Sequence, residues 1–194
     1  YIGDTVISSS FKEFYQKNKL NFAKSESFKK IVSKKTSKDI NWFFDEYLTT
    51  DKKIDYTIKK AVVLDDSVYV TIKNKRNITA PVALYGLKNK QVKFKKWLTN
   101  IDSTTTVVIP KNGFNRVSLN FENSYPEFNS MDNWKKVGKN ILNKPIQFKL
   151  YKDINDPYYH QVYLQPNIKY NYYDGALLGL RIHNKPILSR NFQF

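Results

Sequence analysis

The sequence predicts an α+β protein: short helices first, then an antiparallel β-sandwich, then amphipathic antiparallel strands. Two observations carry that prediction. Apolar residues recur at helical spacing over residues 1–50 and switch to alternate positions from residue 54 onward. Turn-forming clusters then punctuate the alternating stretch at hairpin intervals.

In the helical region, Ile7, Phe11, Phe14 and Tyr15 share one face, with Asp4 placed to cap the start and Asn18 near the stop. Ser25 is placed to cap a second helix carrying Phe28, Ile31 and Val32. Ser37 is placed to cap a third, with Ile40, Phe43, Phe44 and Tyr47 on one side. Three such short helices cannot bury their apolar faces alone and need a partner.

The β-sandwich is expected over 54–122, with six or seven short strands. Val68, Val70 and Ile72 alternate with Tyr69 and Thr71. Turn signals fall at Asp65-Asp66-Ser67, Asn74-Lys75-Arg76-Asn77, Lys88-Asn89-Lys90 and Lys111-Asn112-Gly113. Pro81 and Pro110 suit strand ends or sheet edges, because proline cannot donate to a ladder. A polar connector covers 123–144, with Tyr125, Phe128 and Trp134 as its expected anchors.

From 145 to 194 the alternation resumes. Ile146, Phe148 and Leu150 share a face, as do Val162, Leu164, Pro166, Ile168 and Tyr170. Ala176, Leu178, Leu180 and Ile182 follow, then Leu188, Phe192 and Phe194. Opposite faces carry Lys149, Gln161, Gln165, Arg181 and Arg190. Tyr158-Tyr159 and Tyr172-Tyr173 sit beside turns at Asp156-Pro157 and Asp174-Gly175. Dyad alternation with aromatic pairs at strand ends fits part of an outer-membrane β-barrel. An ordinary half-buried sheet alternates in the same way.

Composition narrows the chemistry. The chain has 194 residues, 41% of them apolar, enough for a core. It has no Cys, which excludes disulfides, thiolate metal sites and a cysteine nucleophile. The two histidines, His160 and His183, are too far apart for an HExxH pair and read as structural or exposed. No run approaches the roughly 20 apolar residues of a membrane helix. The YIGDTV start, without an initiator Met or a signal peptide, is expected of a processed product or fragment.

The net charge is +16, from 33 Lys+Arg against 17 Asp+Glu. Only Arg76, Arg116, Arg181 and Arg190 are arginines, and the lysines are scattered, so no nucleic-acid partner is expected. A solvated Lys-rich surface, or attraction to acidic lipid, accounts for the charge. Asp45-Glu46 and Asp65-Asp66 read as solvated neighbours. The turns at Gly86, Gly113, Gly138 and Gly175 lack phosphate-loop spacing, and Ser8-Ser9-Ser10 and Thr104-Thr105-Thr106 lack a base partner. No residue is assigned to catalysis, cofactor binding or metal ligation.

A succession of motifs then carries a resemblance. Tyr1-Ile2-Gly3-Asp4 is followed by Phe11-Lys12-Glu13-Phe14-Tyr15, by Phe28, and by the run Thr36-Ser37-Lys38-Asp39-Ile40-Asn41-Trp42-Phe43-Phe44-Asp45-Glu46-Tyr47-Leu48. In order and spacing this resembles the end of the catalytic domain in the gluzincin aminopeptidases, the aminopeptidase N-like zinc enzymes. Ile54-Asp55-Tyr56-Thr57-Ile58 and Pro81-Val82-Ala83-Leu84-Tyr85 resemble strands of the immunoglobulin-like sandwich that follows in many members. The resemblance covers residues 1 to about 121. Residues 123–194, with Asp156-Pro157-Tyr158-Tyr159 and Asn171-Tyr172-Tyr173-Asp174-Gly175-Ala176-Leu177-Leu178-Gly179-Leu180-Arg181, look like the C-terminal extensions of envelope members from the Bacteroidetes, read as barrel hairpins.

The resemblance implies a parent zinc metallopeptidase whose HExxH helix, third-ligand Glu and transition-state Tyr precede the point matching Tyr1. These residues would then be a non-catalytic scaffold and anchor, without zinc of their own. Their partners would be the upstream catalytic domain, outer-membrane lipid and other envelope proteins, placing the chain in the outer membrane or periplasm. A zinc-less assembly module of an outer-membrane complex is the alternative, and a soluble polyanion binder is a third reading.

Overall fold

The computed structural model describes residues 1–76, 78–138 and 142–187. It is α+β, with few helices and several sheets. No helix among the described residues is long and apolar enough to cross a membrane.

Helix α1 spans Asp4–Asn18 and α2 spans Ser25–Lys35. Both caps sit one residue earlier than expected, at Gly3 and Lys24, and neither helix has a side-chain cap. The third expected helix is a single π-helical segment, Trp42–Tyr47. Val32, Ile40 and Phe44 form a small core, with Ile2, Phe28 and Phe43 packed against it.

Ten strands follow. Strands β1 (Tyr56–Leu64), β2 (Ser67–Asn74) and β5 (Thr104–Pro110) form one antiparallel sheet, ordered β1-β2-β5. Strands β3 (Val82–Lys88), β4 (Gln91–Leu98), β6 (Arg116–Leu119) and β7 (Trp134–Lys136) form a second, ordered β4-β3-β6-β7 and also antiparallel. Pro81 precedes β3, and Pro110 ends the edge strand β5, where the missing N–H costs no ladder bond.

Alternation sends Val68, Val70 and Ile72 inward, each fully buried. They meet Tyr56, Ile58, Val82, Leu84, Ile109, Val117 and Leu119 in one cluster shared by the two sheets. Each such aliphatic side chain contributes roughly 1.5–3 kcal/mol by leaving water. The β3–β4 turn places both Asn89 and Lys90 at positive φ (50° and 66°), the signature of a type I′ hairpin that matches strand twist. Strand β3 is buried on both faces. Its alternate residues Ala83, Tyr85 and Leu87 join Trp134 in a second cluster, with Trp97, Phe121 and Tyr158 against it. At Gly86 an added Cβ would lie 2.5 Å from Phe114 Cδ1, so the buried ring requires glycine there.

The remaining strands, β8 (Ile146–Leu150), β9 (His160–Asn171) and β10 (Gly175–His183), form a separate sheet ordered β10-β9-β8. Here the expectation of antiparallel barrel hairpins needs correction. Strands β9 and β10 are an antiparallel hairpin, but β8 runs parallel to β9. The loop from Tyr151 to Tyr159 carries the chain back to the start of the sheet before β9 begins, and Pro145 O accepts the His160 N–H at 2.8 Å. The described residues contain no closed barrel. Leu188, Arg190, Phe192 and Phe194, expected to continue the pattern, lie outside the described residues, as does Asn77 of the second turn.

Candidate functional site

Among the described residues, two junctions and the uncovered apolar surfaces are where this fold can act. The first junction joins the helices to the sheets. Lys29 on α2 donates to both carboxylate oxygens of Asp45, at 2.6 and 2.7 Å, fastening α2 to the π-helical segment. Lys35 reaches back to Glu13 of α1 at 2.9 Å. With Lys17 it holds the Glu13 carboxyl down to about 2. Phe28 packs on Phe11, Phe14 and Phe44 with ring centroids 4.7, 5.3 and 6.1 Å away.

Between this bundle and the sheets lies a cavity of about 280 Å³ lined by Tyr1, Trp42, Phe43, Tyr47, Trp97 and Tyr125, among others. The Tyr1 and Trp97 rings meet edge-on at 5.5 Å. Buried Trp42 Nε1 and Tyr125 Oη have no hydrogen-bond partner. Burial raises the Tyr125 phenol well above its ordinary pKa. The walls are aromatic and carry no acid–base pair, so they suit packing better than proton transfer.

A polar node ties the connector to this core. Glu127 accepts hydrogen bonds from the Tyr56 N–H at 3.2 Å, Asn120 Nδ2 at 3.2 Å and Asn133 Nδ2 at 2.5 Å. Burial nonetheless pushes its carboxyl up to about 7. Beside it Asp55, only 2% exposed, faces Lys75 Nζ at 3.4 Å and Arg76 Nε at 3.8 Å. Its own pKa is raised by burial. Lys75 also bridges to Asp132 at 3.1 Å. Sequence reading missed this node, because Glu127 lies in a polar connector and nothing local marks it as buried.

The second junction joins the C-terminal sheet to strand β3's outer cluster. Tyr158 meets Trp134 edge-on at 5.1 Å. Lys90 and Arg116 stand 4.6 and 4.8 Å from its ring centroid. A cavity of about 210 Å³ opens beside it, lined in part by Asn120, Asn133, Trp134 and Asp156.

The residues weighed from sequence do not converge. Asp45 and Glu46 serve the Lys29 and Lys52 bridges, and Asp65-Asp66 make the β1–β2 turn. His160 is exposed at the start of β9. His183 is 3% exposed and 5.6 Å from the Tyr163 ring, with its pKa lowered by burial and then by Arg181, Lys152 and Lys185. Of the expected anchors, Tyr125 and Trp134 pack inward. Phe128 stays 62% exposed, with the Arg76 guanidinium 4.0 Å from its ring centroid. Among the described residues no three His, Asp or Glu side chains are grouped as a metal centre needs.

Among the described residues several apolar surfaces stay uncovered, one of them the outer face of β1-β2-β5 with Val62, Tyr69 and Val108 side by side. On and after α1, Phe11, Tyr15, Leu20 and Phe22 are 56%, 70%, 98% and 102% exposed. Another is the outer face of the C-terminal sheet, where Phe148, Ile168 and Leu178 are exposed.

No protein-family model matches the chain, and no curated protein does either. Among solved structures, the crystal structure of Legionella pneumophila aminopeptidase A in complex with aspartic acid is similar, with a TM-score of 0.51 and 18% identity over 61% of this chain. This chain spans 15% of that one. At that identity the likeness concerns the fold.

Proposed function

We propose that this chain is the non-catalytic scaffold of a zinc-dependent, aminopeptidase-like metallopeptidase of the cell envelope. Its helices would close the underside of a catalytic domain, and its two principal sheets would act as an immunoglobulin-like sandwich that spaces that domain. The observation that carries the reading is the fold likeness of 61% of the chain to a small part of an aminopeptidase. The order of motifs from Tyr1 to Leu48 supports it independently. So does the α1 surface: an amphipathic helix that leaves Phe11 and Tyr15 in water is built for a larger body to cover. The resemblance puts the zinc ligands before the point matching Tyr1, and the described residues hold no group of three His, Asp or Glu side chains that could hold a metal ion.

Two measurements test this. The purified chain, with and without added zinc, should show no turnover of amino-acid p-nitroanilides above the blank. Zinc-dependent turnover would remove the scaffold reading. The reading frame preceding Tyr1 should encode HExxH and a downstream Glu. A frame lacking them would turn the assignment toward a non-enzymatic assembly module.

A further inference from the structure

We infer that the outer face of the β8–β10 sheet binds an anionic lipid bilayer, lying flat on it. This inference goes beyond the peptidase-scaffold reading and stands without it. Register builds the face. Leu164 lies opposite Ile182, Pro166 opposite Leu180, Ile168 opposite Leu178 and Tyr170 opposite Ala176. Strand β8 extends it, with Phe148 beside Val162 and Leu150 beside Leu164. No charged side chain interrupts these pairs.

A water-facing sheet buries its apolar side and exposes its polar side; here the apolar side stands in water as well. On the polar side Gln161, Tyr163 and His183 at the base are 1%, 0% and 3% exposed, while Asn167, Lys169 and Arg181 farther along the hairpin are exposed. On the apolar side Phe148, Ile168 and Leu178 are 66%, 73% and 81% exposed. A contiguous apolar surface of this kind marks a docking face.

Charge selects the occupant. The chain carries +16, and residues 142–187 hold six Lys or Arg against three Asp or Glu. A second copy on this face would set two strongly cationic molecules together, whereas an anionic bilayer attracts them. Tyr170, Tyr172 and Tyr173 cluster at the hairpin tip, 78%, 87% and 91% exposed, and tyrosine suits the headgroup boundary. Lys169 and Arg181 lie on the opposite, polar face of the hairpin, which stays in water. A sheet lying flat on the bilayer keeps the backbone groups of its strand edges near water.

The absence of cysteine makes the test clean. Single variants Ile168→Cys and Leu178→Cys on the apolar face, and Asn167→Cys and Lys169→Cys on the polar face, are labelled with the environment-sensitive fluorophore NBD. They are mixed with vesicles of phosphatidylcholine and phosphatidylglycerol, or of phosphatidylcholine alone. The expected result is a blue shift and brightening at 168 and 178 only, with the anionic vesicles only, weakened by salt. Equal responses at all four positions, or none, overturn the proposal. So does equal binding to neutral vesicles. A blue shift at 168 and 178 that needs no vesicles and grows with protein concentration also overturns it, and assigns the face to a second copy. Because all four positions are exposed, far-UV circular dichroism should match the wild type. Unlabelled chain co-sedimenting with anionic vesicles, and about tenfold less for the Ile168→Asp/Leu178→Asp double variant, is the independent second readout.

Discussion

A carboxyl group held by three donors would ordinarily titrate low, yet burial dominates at Glu127 and pushes it up to about 7. The sign of its effect on stability follows from linkage. The folded protein keeps this proton to higher pH than the unfolded chain, whose ordinary value is 4.5. Its contribution is therefore fully present below that ordinary value and is lost as pH rises through about 7. The amplitude is at most about 3 kcal/mol. Glu127→Gln keeps an acceptor for the Tyr56 N–H and cannot ionise. The difference in melting temperature between wild type and variant should change across that window and stay level on either side. A constant difference across the window would show that the carboxyl does not titrate there.

At the scale of elements, the β9–β10 turn shows how local chemistry sets a ribbon. Asn171 Nδ2 donates to Asp174 Oδ2 at 2.8 Å, and Asn171 Oδ1 accepts the Tyr173 N–H at 3.2 Å. Gly175 closes the turn at φ +72°, a conformation that β-branched residues strongly resist. Gly175→Val should cost about 1–2 kcal/mol locally, and amide exchange over 165–182 should accelerate while β2 and β3 keep their protection. Unchanged exchange in the hairpin would count against the turn as its organiser. The composition of this ribbon was legible in sequence, since alternation alone placed Ile168, Tyr170, Leu178 and Leu180 together. Which face looks outward was not legible, because a period of two defines two faces without naming the covered one. The parallel β8–β9 pairing was equally hidden, being set by the path of the 151–159 loop. In the helical region, the spacing of Ile40, Phe43, Phe44 and Tyr47 found the buried stripe but not the wider π-helical turn that presents it. The Arg76 guanidinium over Phe128 and the Tyr163 ring beside buried His183 are neighbours only in the fold.

Across the whole molecule, the sheet containing β3 is the keel. Its inner residues belong to the main core and its outer ones to the cluster that Tyr158 completes. The Tyr158 ring, against Trp134 and between Lys90 and Arg116, ties the C-terminal sheet to that keel. The contact decides how the exposed apolar face is held relative to everything upstream. Tyr158→Ala removes the ring and its edge-on contact, a loss of roughly 1–3 kcal/mol for a half-buried aromatic. That cost should fall on the junction and not on the main core. Hydrogen exchange followed by mass spectrometry should show faster exchange in β8, β9 and β10, with β1, β2 and β3 unchanged. Tyr158→Phe should restore most of the protection, because the edge-on ring contact survives without the hydroxyl. Uniform acceleration through every strand would instead mean that the molecule unfolds as one unit, with the C-terminal sheet an integral part of the core.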